Sequence, residues 1–294
     1  MRTFLYYSLF SYRLQEKLPC IAGKVCYNTI GDEMDRKNID KISETPEDRL
    51  LLAKLWDKLQ SGMRKNICAS TCFLSPREQQ LAQLLFGNAE GLYFYGGYSE
   101  AERKMLSFLP DYMEENDLSG ENSPIVCLRA DFYREDFPSH RDFLGALIGC
   151  GISREAIGDI LVGENSCDFF VSAEIAPYIL QSLKSAGRTH LKLRQIPLSD
   201  VAVPEQSFTE IQDTVASIRL DSLLSAGFRI SRSLASEYIA AEKVAIDGLP
   251  CIKPEKAVEE GSKLSIRGLG KMKLSKIGHT TKKGRIAVII HRYN

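Results

Sequence analysis

Glu260 is the last acidic residue of the chain, and the 34 residues after it carry Lys263, Arg267, Lys271, Lys273, Lys276, Lys282, Lys283, Arg285 and Arg292 with no carboxylate to offset them. The formal net charge is zero, yet it is divided: residues 219–294 hold 15 Lys and Arg against 7 Asp and Glu, and the other 218 residues hold 23 against 31. Charge sorted in this way predicts an acidic body and a separate basic domain with a positive face. Phosphate backbones supply most sequence-independent nucleic-acid affinity, so the basic end is the first place to look for a binding function.

With 294 residues, 44% apolar and 26% charged, the chain is long enough for two or three cores. Its cysteines, at positions 20, 26, 68, 72, 127, 150, 167 and 251, form no CxxC pair. They are read as reduced thiols of a cytoplasmic protein, with no metal site and no cofactor expected. Thr3 to Tyr12 is apolar and aromatic, but only Arg2 precedes it and no small-residue cleavage site follows. It is too short to span a bilayer, so no membrane insertion is expected. Residues 1–44 show no sustained period and are read as an N-terminal extension, with Met34 as an alternative start.

The predicted fold class is α+β. Thr45, Pro46 and Asp48 give an N-cap, a first-turn proline and a capping carboxylate ahead of Leu51, Leu52, Leu55, Trp56 and Leu59. Ser75, Pro76 and Glu78 repeat that grammar before Leu81, Leu84 and Leu85, which predicts a helical N-terminal unit over 45–90. A middle domain over 91–200 opens on strand 92–95, which ends in Gly96 and Gly97. It continues with strand 125–130, helix 140–149 capped by Ser139 and Asp142, strands 159–162 and 167–171, helix 173–186 and strand 191–196. This β-α-β-β-α-β order predicts a ferredoxin-like domain, the arrangement that RNA-recognition modules also use. Of the adjacent Phe169 and Phe170, at most one is expected to stack a base on an open sheet face. Residues 197–217 show no long periodic element and separate the acidic body from the basic domain, 218–294.

Within the basic domain, Leu220, Leu223 and Leu224 form one apolar helical face, and Leu234, Tyr238 and Ile239 form another. The two short helices meet at Ile230 and Ser231. Ser231 is the expected N-cap, and Arg229 and Arg232 flank a helix start whose N–H groups suit a phosphate. Asp247 and Gly248, between Val244–Ile246 and Leu249–Ile252, give a type I′ hairpin signal, with Lys243 and Lys253 near its turns. The residues expected to contact RNA are Arg219, Arg229, Ser231, Arg232, Lys243 and Lys253, with Arg267, Lys271, Lys273, Lys282, Lys283 and Arg285 as a broader rim.

This segment resembles the small RNA-binding domain named after ribosomal protein S4. Arg219, Leu220 and Asp221 match its RLD opening, Ser231 and Arg232 its SR step, and Lys243, Val244 and Gly248 its hairpin end. Glu242 stands where that family usually has glycine, and Asp247 where asparagine is usual. Over about residues 48–294 the chain also resembles the bacterial YlmH family, through SPREQQLAQLL, FYGGYSEAERKML, SHRDFLGALIGCGISREAIGDILV and GLGKMKLSKIGHTTKKGRIAV. The resemblance implies a non-enzymatic protein of ribosome-associated quality control. Such a protein binds rRNA and tRNA, engages the large ribosomal subunit carrying obstructed peptidyl-tRNA, and supports tailing of the stalled chain. It also implies a link to cell division, and with it quality-control or division proteins as further partners.

Other readings account for fewer residues. KMKLSK at 271–276 resembles a class I synthetase loop, but no HIGH-like motif lies upstream; a strand with Met272 and Leu274 inward explains the same letters. Ser139, His140, Arg141 and Asp142 cannot converge as a hydrolytic triad from one helical turn, so no catalytic residue is expected there, and His140 and Arg141 are either solvated or touching RNA. Gly96 and Gly97 lack a phosphate-loop spacing and lysine. An RNA-modifying enzyme of the pseudouridine synthase or methyltransferase type, carrying an S4-type domain, is the alternative. A division scaffold whose RNA binding is incidental is the third class.

Overall fold

The structure, a computed structural model, describes residues 36–120, 122–133, 138–201, 203, 207–281 and 284–293. The expected N-terminal extension lies outside these residues up to position 35. From Arg36 on, a 3₁₀ turn, Arg36–Asn38, leads into α1 (Ile39–Ile42), where Ile39 is buried.

Helix α2 (Pro46–Lys65) starts where the cap signal placed it, with the Thr45 hydroxyl accepting the Asp48 N–H. Its apolar stripe buries Leu52, Leu55, Trp56 and Leu59. After the two-residue strand β1 (Ala69–Ser70), α3 (Pro76–Phe86) opens with a reciprocal Ser75–Glu78 capping box and stacks Phe86 on Trp56, ring centroids 5.8 Å apart. Buried Asp48 accepts both guanidinium arms of Arg77, at 2.6 and 2.8 Å, and ties the helices together at their N-terminal ends. Leu84, expected on the apolar face of α3, is exposed.

Strands β2 (Leu92–Tyr95) and β3 (Met105–Phe108) then pair with β1 in an antiparallel sheet of order β1-β3-β2. The boundary expected at residue 90 therefore falls inside one structural layer: the first strand assigned to the middle domain pairs within the N-terminal unit instead.

The middle sheet holds β4 (Ile125–Asp131), β5 (Ile157–Val162), β6 (Ser166–Ser172) and, after a short hairpin of β7 (Ser185–Ala186) and β8 (Thr189–His190), β9 (Lys192–Ile196). The order is β5-β6-β4-β9, all antiparallel. Helices α4 (His140–Gly149) and α5 (Ala176–Ser182) lie between these strands in sequence, and their Phe143, Leu147, Ala176 and Ile179 pack with Leu128 and Phe169. The expected helix 173–186 is shorter. It begins as a 3₁₀ turn, Ala173–Ile175, and gives way after Ser182 to the β7–β8 hairpin.

The other face of this sheet is closed too. Phe170, Cys127, Ile125 and Ile196 pack against Phe73 and Met105 of the N-terminal unit, and Tyr98 stacks on Phe170 at 5.1 Å. Gly97 sits at φ +98°, and a Cβ there would come within 2.4 Å of the Phe170 ring, so only glycine admits this contact. Phe169 and Phe170 are both 0% exposed, so neither is open to stack a base. Polar groups lock the same junction: Asp159 accepts from the Tyr98 hydroxyl and from the N–H groups of Glu102 and Arg103, and the Arg103 guanidinium donates to the carbonyls of Ile157 and Phe73.

The C-terminal sheet gathers β10 (Phe208–Val215), β11 (Val244–Ile246), β12 (Leu249–Pro250), β13 (Lys263–Ile266), β14 (Gly270–Thr280) and β15 (Ile286–Tyr293) in the order β10-β15-β14-β13-β11-β12. Helices α6 (Leu220–Phe228) and α7 (Arg232–Ala240) share its core: Leu220, Leu223, Leu224, Ala235 and Ile239 meet Met272, Leu274, Val288 and Ile290. Strand β10 comes from the segment expected to lack a periodic element. It pairs with β15 from Phe208↔Tyr293 to Val215↔Ile286 and buries Ile211 and Val215 in the same core. A fragment beginning at residue 207 should therefore unfold at higher urea concentration than one beginning at residue 218, which leaves the β15 edge unpaired; equal midpoints in chemical denaturation would contradict this role for β10.

Candidate nucleic-acid interface

The start of α6 is organised around one carboxylate. Asp221 is buried, accepts the Ser222 N–H at 2.8 Å and binds two arginines, Arg232 at 2.6 Å and Arg219 at 3.3 Å. Burial, the largest single influence, pushes the Asp221 carboxyl up. The Arg232 hydrogen bond and charge, the Ser222 N–H and the Arg219 charge together outweigh it, and the net shift is downward. Both guanidinium groups remain about half exposed, so the carboxylate orients them without removing them from solvent. The loop after β12 closes over the same helix end, its Lys256 and Pro254 carbonyls accepting the Leu220 and Asp221 N–H groups. Lys253, which precedes Pro254, is thereby held near Arg219 and Arg232.

The turn between the helices is equally defined. Arg229 caps α6 in the left-handed region at φ +56°, a conformation that costs a non-glycine residue about 1 kcal/mol or more. The Ser225 hydroxyl donates to the Ile230 carbonyl and fixes the exit. Ser231 caps α7 as expected, its hydroxyl accepting the Leu234 N–H at 3.1 Å. Arg229, Ser231 and Arg232 are all exposed at this helix start. Leu234, expected to face inward, is 37% exposed, and Ala235 takes the buried position.

Beyond α7, Lys243 and Arg267 are neighbours: the Arg267 N–H donates to the Lys243 carbonyl, and the Lys243 ammonium lies 5.7 Å from the Tyr238 ring centroid. The two departures from the S4-type resemblance fall at strained backbone. Glu242 and Asp247 both have left-handed backbone, at φ +56° and +49°, where glycine and asparagine are the easier occupants. The Asp247 carboxylate accepts the Lys263 N–H at 2.7 Å, which ties the hairpin turn to the start of the neighbouring strand β13. The next residue, Gly248 at φ +87°, packs so closely on α3 that a Cβ would sit 2.7 Å from the Arg77 nitrogen. The hairpin tip is docked on the N-terminal unit, while Val244 behind it is buried in the core of the basic domain.

The rim divides. Met272 and Leu274 point into the core, which turns Lys271 and Lys273 to the sheet face opposite the helices. Lys271 pairs with Glu102 of the N-terminal unit, and Lys273 lies opposite Lys263 and His291 on the neighbouring strands. Arg285 donates to the Thr214 hydroxyl and carbonyl and so fastens β10. Lys282 and Lys283 lie outside the described residues. The structure thus groups Arg219, Arg229, Ser231, Arg232 and Lys253 at the helix pair, sets Lys243 with Arg267, and separates Lys271, Lys273 and Arg285 from both. Among the described residues no His, Cys, Asp and Glu cluster has a metal-binding arrangement, and no helix is long and apolar enough to cross a membrane.

Comparisons with known proteins bear on a second region. The family model described as "Putative RNA-binding domain in YlmH" matches residues 133–200, outside the basic domain. The chain is 36% identical over 224 residues to the ribosome-associated protein quality control protein P2 of Bacillus subtilis (strain 168), an alignment covering 76% of this chain and 86% of that protein. Among solved structures, the cell division protein ylmH from Streptococcus pneumoniae aligns with a TM-score of 0.43 at 23% identity, over 54% of this chain and 96% of that one. The described elements make this an α+β chain, and its residues 133–200 match a family described as an RNA-binding domain. The chain belongs to the YlmH family.

Within 133–200 the sequence points to one of Phe169 and Phe170 as a base stack and to His140 and Arg141 as either solvated or touching RNA, and it carries a further signal: between Glu174 and Asp200 the chain has no carboxylate, while Lys184, Arg188, Lys192 and Arg194 intervene. The acidic count of the whole body hides that run.

Asp221→Asn should lower stability by about 1–3 kcal/mol at neutral pH, because it removes the charged acceptor of two guanidinium groups. A carboxyl depressed by folding stabilises above its unfolded value of about 4 and loses that contribution as pH falls through its lower folded value. Urea midpoints of wild type and variant should therefore converge on acidification below about pH 4; a difference independent of pH would refute the assignment.

Proposed function

We propose that this protein is a non-catalytic, cytoplasmic RNA-binding factor of the ribosome, acting on rRNA and tRNA of the large subunit in quality control of stalled peptidyl-tRNA complexes, with a connection to cell division through protein partners. On this reading the basic domain is S4-type and the middle domain ferredoxin-like. The observation that carries the reading is the oriented basic cluster at the helix pair, where Asp221 holds Arg219 and Arg232 beside Arg229 and the capped start of α7. Exposed guanidinium groups at a helix N-terminus suit phosphate oxygens, since the N–H groups and dipole already favour an anion and the planar fork binds two oxygens. The name of the B. subtilis relative and the description of the matched family support the ribosome and RNA as partners.

Sedimentation of a cell extract through a sucrose gradient tests the partner: the protein should travel with large subunits, and migration only at the top of the gradient would overturn the reading. Arg229→Ala with Arg232→Ala should weaken bulk tRNA binding more than Lys282→Ala with Lys283→Ala, although each pair removes two charges. Equal losses from folded variants at one salt concentration would mean that charge alone matters. Against the enzymatic alternative, purified protein incubated with tRNA and rRNA, with or without a methyl donor, should leave every nucleoside mass unchanged; a new modified nucleoside in mass spectrometry would favour catalysis.

A further inference from the structure

The middle sheet has no face left for a nucleic acid, because α4 and α5 cover one side and Phe73, Met105 and Tyr98 cover the other. Its edges remain. The β5 edge is engaged, with Asp159 tied to Tyr98, Glu102 and Arg103. The opposite edge is β9, which carries Lys192, Arg194 and Gln195 exposed. The β7–β8 hairpin leads directly into it. The Leu191 N–H donates to the Lys184 carbonyl, which sets the start of the hairpin beside the start of β9, and Arg188 stands at the tip. Gly187 next to it lies against Asp142 in the first turn of α4, where Arg141 is exposed.

Lys184, Arg188 and Lys192 are exposed and make no ion pair among the described residues, whereas Arg194 binds Asp131 at 3.1 Å. We propose that the β7–β8 hairpin and the β9 edge form a second phosphate-binding surface, through which Lys184, Arg188 and Lys192 hold the backbone of folded RNA. This rests on the RNA-binding reading above and adds where, and by which chemistry, the middle domain takes part. A lysine on an edge strand also guards against unwanted strand pairing. That explanation reaches Lys192 but neither Lys184 nor Arg188. From Leu180 to Ser207 there is no Phe, Tyr or Trp, so the hairpin and the strand supply no stacking platform of their own. Exposed cations without an ion-pair partner suit backbone phosphates, which position an RNA without reading its bases. Two such surfaces on one chain strengthen binding by raising the effective concentration of the second contact once the first has formed.

The test uses the full chain, bulk tRNA as probe, and anisotropy titrations across a range of salt. Lys184→Ala, Arg188→Ala and Lys192→Ala combined should weaken binding about tenfold at 0.15 M salt and reduce the log-log salt slope by about one per lost contact. A control with Lys54→Ala, Lys58→Ala and Lys65→Ala removes the same charge from α2 and should change either quantity little; melting curves establish that both variants fold. The conservative set Lys184→Arg, Arg188→Lys and Lys192→Arg should bind as wild type does. Equal behaviour of the two alanine triples overturns the surface. If Arg229→Ala with Arg232→Ala abolishes binding in the same assay while the middle triple is silent, the basic-domain reading stands alone. Absence of salt-dependent tRNA binding by the wild-type chain overturns both.

Discussion

Phe170 packs with no exposed surface between the middle sheet and the N-terminal unit, and the arrangement of residues 36–201 follows from that contact. Fully burying one such ring stabilises by roughly 1.5–3 kcal/mol, and the stacked Tyr98 adds to it. Gly97 has to lack a side chain for the ring to fit, and the Asp159 and Arg103 networks close the polar rim around it. The same contact decides what the middle domain can do. A four-stranded sheet of this order has one face available for bases only when nothing covers it; here the face is a core, so recognition has to pass to loops and edges.

In the basic domain the charges are placed rather than spread. Asp221 spends one buried carboxylate to aim two arginines, and Arg229 accepts left-handed backbone at the turn beside them. On the far side of the sheet Lys271 meets Glu102, so the acidic body neutralises part of the field where no binding is proposed.

Local signals were legible and distant ones were not. The caps at Thr45, Ser75, Ser139 and Ser231 all form, because each needs only the next three residues. Leu84 and Leu234 were misassigned to cores, since helical spacing marks a stripe but not its edge. Strand β10 went unread because its two buried residues, Ile211 and Val215, are four apart, a spacing that suggests a helix; the strand is an edge whose partner lies far along the chain. Pairing of Ala69 with Phe108 likewise crossed the boundary drawn at residue 90. At the candidate interface the sequence shows Arg219 and Arg232 as matches to a motif, while their common tie to Asp221, the docking of Gly248 on α3 and the diversion of Arg285 to Thr214 depend on tertiary contacts.

The C-terminal sheet joins its strands out of chain order. β15 is the last of them to be synthesised, yet it lies between β10 and β14 and supplies Val288 and Ile290 to the core. The sheet cannot zip progressively as the chain emerges, since β10 has no neighbour until β15 arrives, and closing so long a loop is slow. A ribosome making this protein therefore meets it first as an acidic body followed by an unfinished basic segment. The oriented arginines acquire their full support only when the final strand slides into the gap.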